Sequence, residues 1–259
     1  MSRRADRFVE SLCSEAFDSD AVNHPYLRAL AAGDFPDYGR ALQDFAYQYE
    51  WYSAGFTDYV SAVIGQLKNA KHQQILESNL AEEQGSVEGV VLDADLLADI
   101  AGRSHTSLYA DFQSAVGVDA AYRETAKRCA LSSSWRQQFL SLCQMNECAG
   151  VGAIGIGTEL IVSRIYGLIL EGLTLHSAVT PAQRVFFDLH SHCDEEHAAQ
   201  MLYIAKDLAR SSTACQQLRY GADTALALRA AFWDEMLNRA QAMPTAGSTA
   251  AARPIASAH

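Results

Sequence analysis

Hydrophobic and polar positions follow the period of an α-helix along almost the whole chain. Apolar residues recur every three to four positions in RFVESLCSEAF and HPYLRALAAGD. The same spacing runs through the longer segments PDYGRALQDFAYQYEWYSAGFTDYVSAVIGQL and SSSWRQQFLSLCQMNECAGVGAIGIGTELIVSRIYGLILEGL. No segment stands out for the strict alternation of a half-buried strand. The pattern therefore predicts an all-α bundle of seven or eight helices.

Capping residues predict where several of these helices begin and end. NAKHQQILESNLAEEQG stops at Gly85, because glycine adopts the left-handed conformation that commonly ends a helix. Ser104 caps the helix that begins with HTSLYADF. Thr180, followed by Pro181 at the first helical position, begins the helix that runs to about residue 210. The segment DADLLADIA predicts a short additional helix.

Composition bounds the class of protein. The chain has 259 residues, 49% of them hydrophobic, which suffices for one core; we expect a single domain over residues 1–243 and a disordered tail over 244–259. The net charge of −11, with no cluster of basic residues, argues against nucleic acid as a partner. We see no signal peptide and no apolar run of about 18 residues. Six cysteines without a CxxC pair indicate reduced thiols, so we expect a cytoplasmic protein with no membrane partner.

The stretch HSHCDEEHAAQ carries the densest group of metal-ligating side chains. His190, Asp194 and His197 are spaced by four and then three residues, which places them on one stripe of a helix. Two imidazoles and a carboxylate in this arrangement either satisfy one another or bind a metal ion. Burying an unpaired carboxylate is costly, so the spacing alone leaves both interpretations open.

Glu159 is the second candidate ligand. It is the sole acid in AGVGAIGIGTELIVSRIYGLIL, and it either projects inward as a ligand of a metal site shared by several helices or reaches Arg164 or solvent. The glycines of GVGAIGIG have dinucleotide-like spacing, but no strand precedes them. We interpret them as sites of close helix packing.

Four segments together resemble a known family. NLAEEQG, SHTSLYADFQSAVGVD, GTELIVSRIYGLI and LHSHCDEEHA resemble the haem-oxygenase-like diiron oxidases, also called iron-containing redox enzymes, over roughly residues 24–215. The resemblance implies a haem-oxygenase-like bundle in which six residues ligate metal: Glu83, His105, Glu159, His190, Asp194 and His197. The connection that follows Glu83 is longer than the family's usual one, so Glu82 and Glu88 remain alternative ligands.

The resemblance also implies an activity. Two iron ions cycling between Fe²⁺ and Fe³⁺ would activate O₂ and oxidise a small-molecule substrate, with electrons from a reductase or a chemical donor, in a protein that is a homodimer. We favour N-oxygenation of a small amine or amino acid; oxidative C–C cleavage or desaturation of an amino or fatty acid is the alternative. The branch that makes p-aminobenzoate from its own tyrosine is disfavoured, because Ile169 stands where that branch carries a lysine.

Aromatic residues in FAYQYEWYSAGF are candidates for the wall of a substrate cavity. They are Tyr47, Tyr49, Trp51, Tyr52 and Phe56, and ordinary core packing is the alternative explanation. Near Glu159, Arg164 and Tyr166 are candidate anchors for a substrate carboxylate. We therefore assign Tyr49, Tyr52, Arg164 and Tyr166 to substrate binding.

Two further classes of function stay open. The same bundle serves metal-free hydrolases of the thiaminase (TenA) type, which use a cysteine nucleophile, and Cys143 and Cys148 are available for that role. Neither lies in a setting that indicates an activated thiolate. A non-catalytic haem or metal carrier is the other alternative.

Overall fold

The computed structural model describes residues 3–86 and 98–245, except for the side chains of residues 192–196. Within these ranges it contains no strand, which confirms the all-α prediction. The helices are α1 (Arg3–Asp18), α2 (Pro25–Ala32), α3 (Tyr38–Ser53), α4 (Phe56–Gln66), α5 (Ala70–Glu83), α6 (His105–Ala115), α7 (Ala120–Thr125), α8 (Ala130–Met145), α9 (Glu147–Val151), α10 (Leu160–His176), α11 (Val185–Leu208) and α12 (Ser212–Gln241). A π-helical segment (Gly152–Glu159) joins α9 to α10, and a 3₁₀ turn (Pro181–Gln183) precedes α11.

The core is built around α12, which packs along α8, α9 and the π-helical segment. Glycines make this packing very close. A Cβ atom at Gly152 would overlap the carbonyl oxygen of Leu218, and a Cβ atom at Gly221 would overlap that of Ala149. The prediction that the glycines of GVGAIGIG serve close helix packing is thus confirmed.

Helical periodicity did not reveal where the two longest segments are interrupted. The first breaks at Gly55, between α3 and α4. The second breaks at Asn146, whose backbone is extended and whose side chain accepts a hydrogen bond from the backbone N–H of Ala149 (3.0 Å). A side-chain cap of this kind competes with the helical backbone bond, so the helix stops and restarts.

The predicted helix ends at Ser104 and Gly85 are confirmed, whereas the helix predicted to begin at Thr180 begins later. Ser104 accepts a hydrogen bond from the N–H of Ser107 (3.2 Å), and Gly85 has the positive φ of a helix-ending glycine (+102°). Thr180 caps the 3₁₀ turn instead of α11, which begins only at Val185. The predicted tail from residue 246, and residues 93–97 of the predicted short helix, lie outside the described residues.

Two expectations about the environment of the chain can be compared with the structure. The five cysteines that the structure describes, all but Cys193, are free thiols. In the described ranges one helical run, Glu147–His176, is long and apolar enough to cross a membrane. However, 67% of its most apolar window is buried inside the protein, as in the core helix of a soluble protein.

Candidate metal centre

Three metal-ligating side chains from three helices meet inside the bundle. Glu83 is the last residue of α5, His105 is the first residue of α6, and His190 lies in the second turn of α11. One ligand atom from each lies within 4.8 Å of the other two. Three groups of this kind, brought together from separate helices, are the usual construction of a metal site in a helical bundle.

Backbone contacts hold Glu83 next to His105 despite the long connection between them. The N–H of Gly102 donates a hydrogen bond to the carbonyl oxygen of Gly85 (3.1 Å). Gly85 also lies so close to the next turn that a Cβ atom there would be 2.8 Å from the carbonyl carbon of Arg103. The connection therefore leaves and returns at the same place, and the two ligands stay adjacent.

Hydrogen bonding leaves ring nitrogens facing a carboxylate. Nδ1 of His190 donates to the carbonyl oxygen of Phe186 (2.6 Å), so Nε2 carries a lone pair, 4.0 Å from Oε1 of Glu83. Nδ1 of His105 lies 2.8 Å from Oε2 of Glu83, yet it is a buried atom with no hydrogen-bond partner among the described residues. The Nε2 lone pair of His190 and a ring nitrogen of His105 thus lie close to one carboxylate, and imidazole and carboxylate are donor types that a metal cation binds.

Glu159 and His197 are buried near Glu83. Both are 5% exposed, and electrostatic interactions link both to Glu83. Nε2 of His197 is 3.0 Å from Oε2 of Glu82, so both acids at the end of α5 face the site. Asp194 lies in α11 between the two histidines, but its side chain is outside the described residues, as is Glu88.

The two buried carboxyl groups have opposite protonation preferences. Burial disfavours ionisation of Glu83, but His105 and then His190 outweigh it and lower its pKa to about 2. Burial raises the pKa of Glu159 to about 7, and His197 offsets this only in part. Glu159 thus lacks enough positive charge around it, which is the condition that a bound cation would correct.

The pKa values of His190 and His197, both on α11, are shifted in opposite directions as well. Burial, followed by repulsion from His105, lowers the pKa of His190 to about 4. Burial also opposes protonation of His197, yet the hydrogen bond that it donates to Glu82 and the charge of Glu159 raise its pKa to about 9. At neutral pH one imidazole is ready to ligate, and the other must first lose a proton.

A cavity opens beside these ligands. Its wall includes the predicted residues Tyr49, Tyr52, Phe56 and Tyr166. The remaining lining residues are Ser53, Thr57, Glu83, His105, Thr106, Thr158, Glu159, Val162, Phe186 and His190. Carboxylates and imidazoles thus form one part of the cavity wall, and aromatic rings form another.

Three of the predicted wall or anchor residues do not face this cavity. Tyr47 and Trp51 lie on another side of α3, where the guanidinium of Arg128 is 4.4 Å and 4.9 Å from their ring centres; Trp51 is 39% exposed. Arg164 is exposed and stacks on Phe17 at 4.1 Å. The prediction that Arg164 anchors a substrate is wrong, because two residues along a helix turn it about 200° away from Tyr166.

The sequence analysis missed a buried cation behind the cavity. Arg229 on α12 is 1% exposed and donates hydrogen bonds to the hydroxyls of Tyr49 (3.3 Å) and Tyr52 (3.0 Å). Thr158 was missed too; its hydroxyl lies 3.1 Å from that of Tyr52. A signal for Arg229 existed, since it is the single charge in LALRAAFW, much as Glu159 is the sole acid in its own apolar segment.

Comparison with known proteins decides the family. The sequence model of a family described as iron-containing redox enzymes matches residues 43–230, well over half of the chain. The chain belongs to this family. The resemblance to iron-containing redox enzymes inferred from the motifs is therefore confirmed. No curated protein sequence matches the chain.

Solved structures show which fold this iron-containing redox enzyme adopts. A CADD-like protein of unknown function from Nostoc punctiforme has a TM-score of 0.70 and 17% identity, over 93% of this chain and 100% of that one. A domain of unknown function with a heme oxygenase-like fold from Shewanella denitrificans has a TM-score of 0.65 and 14% identity, over 91% of both chains. A TenA homologue from Pseudomonas syringae has a TM-score of 0.70 and 11% identity, over 89% and 91%. The predicted haem-oxygenase-like bundle is confirmed.

Proposed function

We propose that this iron-containing redox enzyme is a non-haem diiron oxidase or oxygenase that uses O₂ to oxidise a small amine or amino-acid-like metabolite. The observation that carries the proposal is the convergence of Glu83, His105 and His190 within 4.8 Å, beside Glu159 and His197. With Asp194 from α11, these residues would supply three carboxylates and three imidazoles to two iron ions.

The donor set favours iron over other metals. Mixed carboxylate and imidazole ligands suit ferrous iron, whereas structural zinc and iron–sulfur clusters favour thiolates. None of the five described cysteines belongs to the cluster. When bound, iron would supply activation of O₂ at the cavity wall, with electrons from an external donor.

The protein's own residues prepare the site for that chemistry. The bond from Nδ1 of His190 to Phe186 fixes the ring so that Nε2 faces Glu83. The rings of Tyr49, Tyr52 and Phe186 line the cavity and restrict its access to water. The proposed substrate binds against this aromatic wall, next to the carboxylates.

The same site can carry out two kinds of oxidation. N-oxygenation of a small amine or amino acid is the proposed reaction; oxidative C–C cleavage or desaturation is the alternative. A screen of amines, amino acids and fatty acids for faster O₂ uptake by the iron-loaded protein, with product analysis by mass spectrometry, distinguishes them.

Iron stoichiometry tests the site directly. The full chain is loaded with Fe(II) without oxygen, desalted and analysed for metal, and its O₂ consumption with a chemical reductant is then recorded. We expect about two irons per chain, and loss of iron and O₂ uptake in His105→Gln and Glu159→Gln. His176→Gln and Glu171→Gln, which change the same residue types at exposed positions outside the site, serve as matched controls. Full iron binding by His105→Gln would contradict the proposal.

A hydrolase of the TenA type is the competing function, since one similar structure is a TenA homologue. That chemistry needs a thiolate at the cavity. Burial raises the pKa of the Cys143 thiol far above its usual range and that of Cys148 to about 11, and neither residue lines the cavity. We expect iodoacetamide at pH 8 to label both thiols far more slowly than free cysteine. Rapid labelling, together with aminopyrimidine hydrolysis by metal-free protein, would favour the hydrolase.

A further inference from the structure

Glu82 and Glu83, the last two residues of α5, lie beside different histidines of α11. Glu83 is buried, contacts His105 and His190, and lines the cavity. Glu82 does not line the cavity, and its side chain is 20% exposed. It contacts His197, with 3.0 Å between Oε2 of Glu82 and Nε2 of His197. Adjacent residues of a helix point about 100° apart, so the two carboxylates approach α11 from different directions.

The contact with Glu82 determines which ring nitrogen His197 can offer to a metal ion. An ionised carboxylate only accepts hydrogen bonds, so Nε2 of His197 donates the proton in this bond. A nitrogen that carries a proton has no free lone pair, and Nδ1 is therefore the nitrogen left for a metal ion. Two acids of the candidate centre, Glu159 and Glu83, also interact electrostatically with His197.

His190 has the same arrangement with a different acceptor. Its Nδ1 donates to the carbonyl oxygen of Phe186, one turn earlier in α11, which leaves Nε2 for a metal ion. For His197 the acceptor comes from another helix. A hydrogen bond at the second ring nitrogen fixes the tautomer and the orientation of a histidine that binds metal. Both candidate histidines of α11 thus have one ring nitrogen held by the protein itself.

We propose that Glu82 is a positioning residue, which holds the Nε2–H group of His197 so that Nδ1 binds the metal, while Glu83 is a direct ligand. The inference rests on the proposed function for the presence of a metal ion, and it gives different roles to two acids that the sequence leaves interchangeable. One alternative is that Glu82 is itself a ligand, with a metal ion in place of the shared proton. The other is an ion pair that only joins α5 to α11.

Nitrogen NMR of the histidine rings distinguishes a positioning residue from a ligand. The full chain, labelled with nitrogen-15 in histidine, is loaded with Zn(II), a diamagnetic ion that also binds imidazole and carboxylate. The signals of His197 are those lost in His197→Gln. We expect Nε2 of His197 to keep its proton in the Zn(II)-loaded chain, and Nδ1 to have the chemical shift of a metal-bound nitrogen. Zn(II) bound at Nε2 would overturn the proposal.

Metal affinity distinguishes a positioning residue from a structural ion pair. Loss of a hydrogen-bond partner of a metal ligand lowers metal affinity by about 10–100-fold, and we expect this loss in Glu82→Leu in competition titrations of Zn(II) with a chromophoric chelator. Glu82→Gln keeps an acceptor oxygen and should recover most of the affinity. Glu77→Gln, at an exposed position of the same helix, is the control. Unchanged affinity in Glu82→Leu, or equal losses in Glu82→Leu and Glu82→Gln, contradicts the proposal.

The design also separates this inference from the proposed function. If Glu82→Leu does not fold, the NMR experiment on the unmodified chain still decides which nitrogen of His197 binds the metal. A chain that binds Zn(II) through Nδ1 of His197 but takes up no iron would refute the proposed function alone. A chain that binds two irons but holds Zn(II) through Nε2 of His197 would refute the role of Glu82 alone.

Discussion

A methyl group at Gly152 should destabilise the bundle strongly, whereas one at Gly167 should stabilise it. At Gly152 a Cβ atom would lie 3.0 Å from the carbonyl carbon of Leu218 and 3.1 Å from the backbone nitrogen of Ala222, and closer still to the Leu218 oxygen. These are backbone atoms of α12, so no side chain can rotate away. Relief requires α12 to move, and overpacking of this kind typically costs about 1–3 kcal/mol.

Gly167 provides the matched control. It lies in the middle of α10, and nothing is within 4 Å of a Cβ atom built there. Alanine at that position gains helix propensity of about 1 kcal/mol. For a domain of this size, 1 kcal/mol shifts Tm by about 2–4 °C. We expect Gly152→Ala to lower Tm by roughly 2–12 °C and Gly167→Ala to raise it by roughly 2–4 °C.

The measurement is thermal unfolding of the metal-free full chain followed by circular dichroism at 222 nm. If the two glycine-to-alanine substitutions change Tm in opposite directions, helix propensity alone cannot be the cause. Equal effects of Gly152→Ala and Gly167→Ala, or a stabilised Gly152→Ala, would refute the reasoning that α12 touches the π-helical segment backbone to backbone.

Two further predictions concern the metal centre. Gly85→Ala should lower Fe(II) affinity by about tenfold or more, because a left-handed residue in contact with the following turn cannot accept a side chain without displacing Glu83. Gly102 also has a positive φ but has open space around it, so Gly102→Ala is the control. Equal effects of the two substitutions in competition titrations with a chromophoric chelator would contradict this explanation. Fe(II) affinity should also rise with pH, by about tenfold per pH unit between pH 7 and 9, because His197 (pKa about 9) must lose its proton to bind the metal. Below pH 7 the dependence should be steeper, because Glu159 (pKa about 7) is also protonated there. An Fe(II) affinity that does not change with pH would show that these groups are not ligands.

Local signals in the sequence were sufficient to predict most of the fold. Helical periodicity marked the helices, and Ser104 and Gly85 marked helix ends, because a capping side chain or a left-handed glycine acts on its own backbone neighbours. The π-helical segment could not be predicted from the sequence. It depends on contacts with α12, and its wider turn is supported by the Thr158 hydroxyl, which donates to the carbonyl oxygen of Ala153, five residues earlier (3.2 Å).

In the candidate site too, features within one helix could be predicted from the sequence, whereas features that depend on contacts between helices could not. The spacing of His190 and His197 predicted a shared stripe on α11 because both belong to one helix. The choice between Glu82 and Glu83 could not be made from sequence, since it depends on which face of α5 meets α6 and α11; the structure places Glu83 beside His105 and Glu82 beside His197. Arg164 was assigned to substrate binding because it lies close to Glu159 in sequence, but its side chain points away from the cavity.

Glu159, which we propose as a metal ligand, and the buried cation Arg229 are positioned by one helix contact. Glu159 ends the π-helical segment and Arg229 lies on α12, and the two elements are pressed together where Gly157 meets Ala225, at a hypothetical Cβ separation of 2.5 Å. A methyl group at Gly157 should separate these elements and displace Glu159 from the other candidate ligands. Iron binding should therefore decline in Gly157→Ala, and to a lesser extent in Arg229→Met, because the positive charge of Arg229 favours the ionised form of Glu159. Full iron binding by Gly157→Ala would show that this helix contact does not position Glu159.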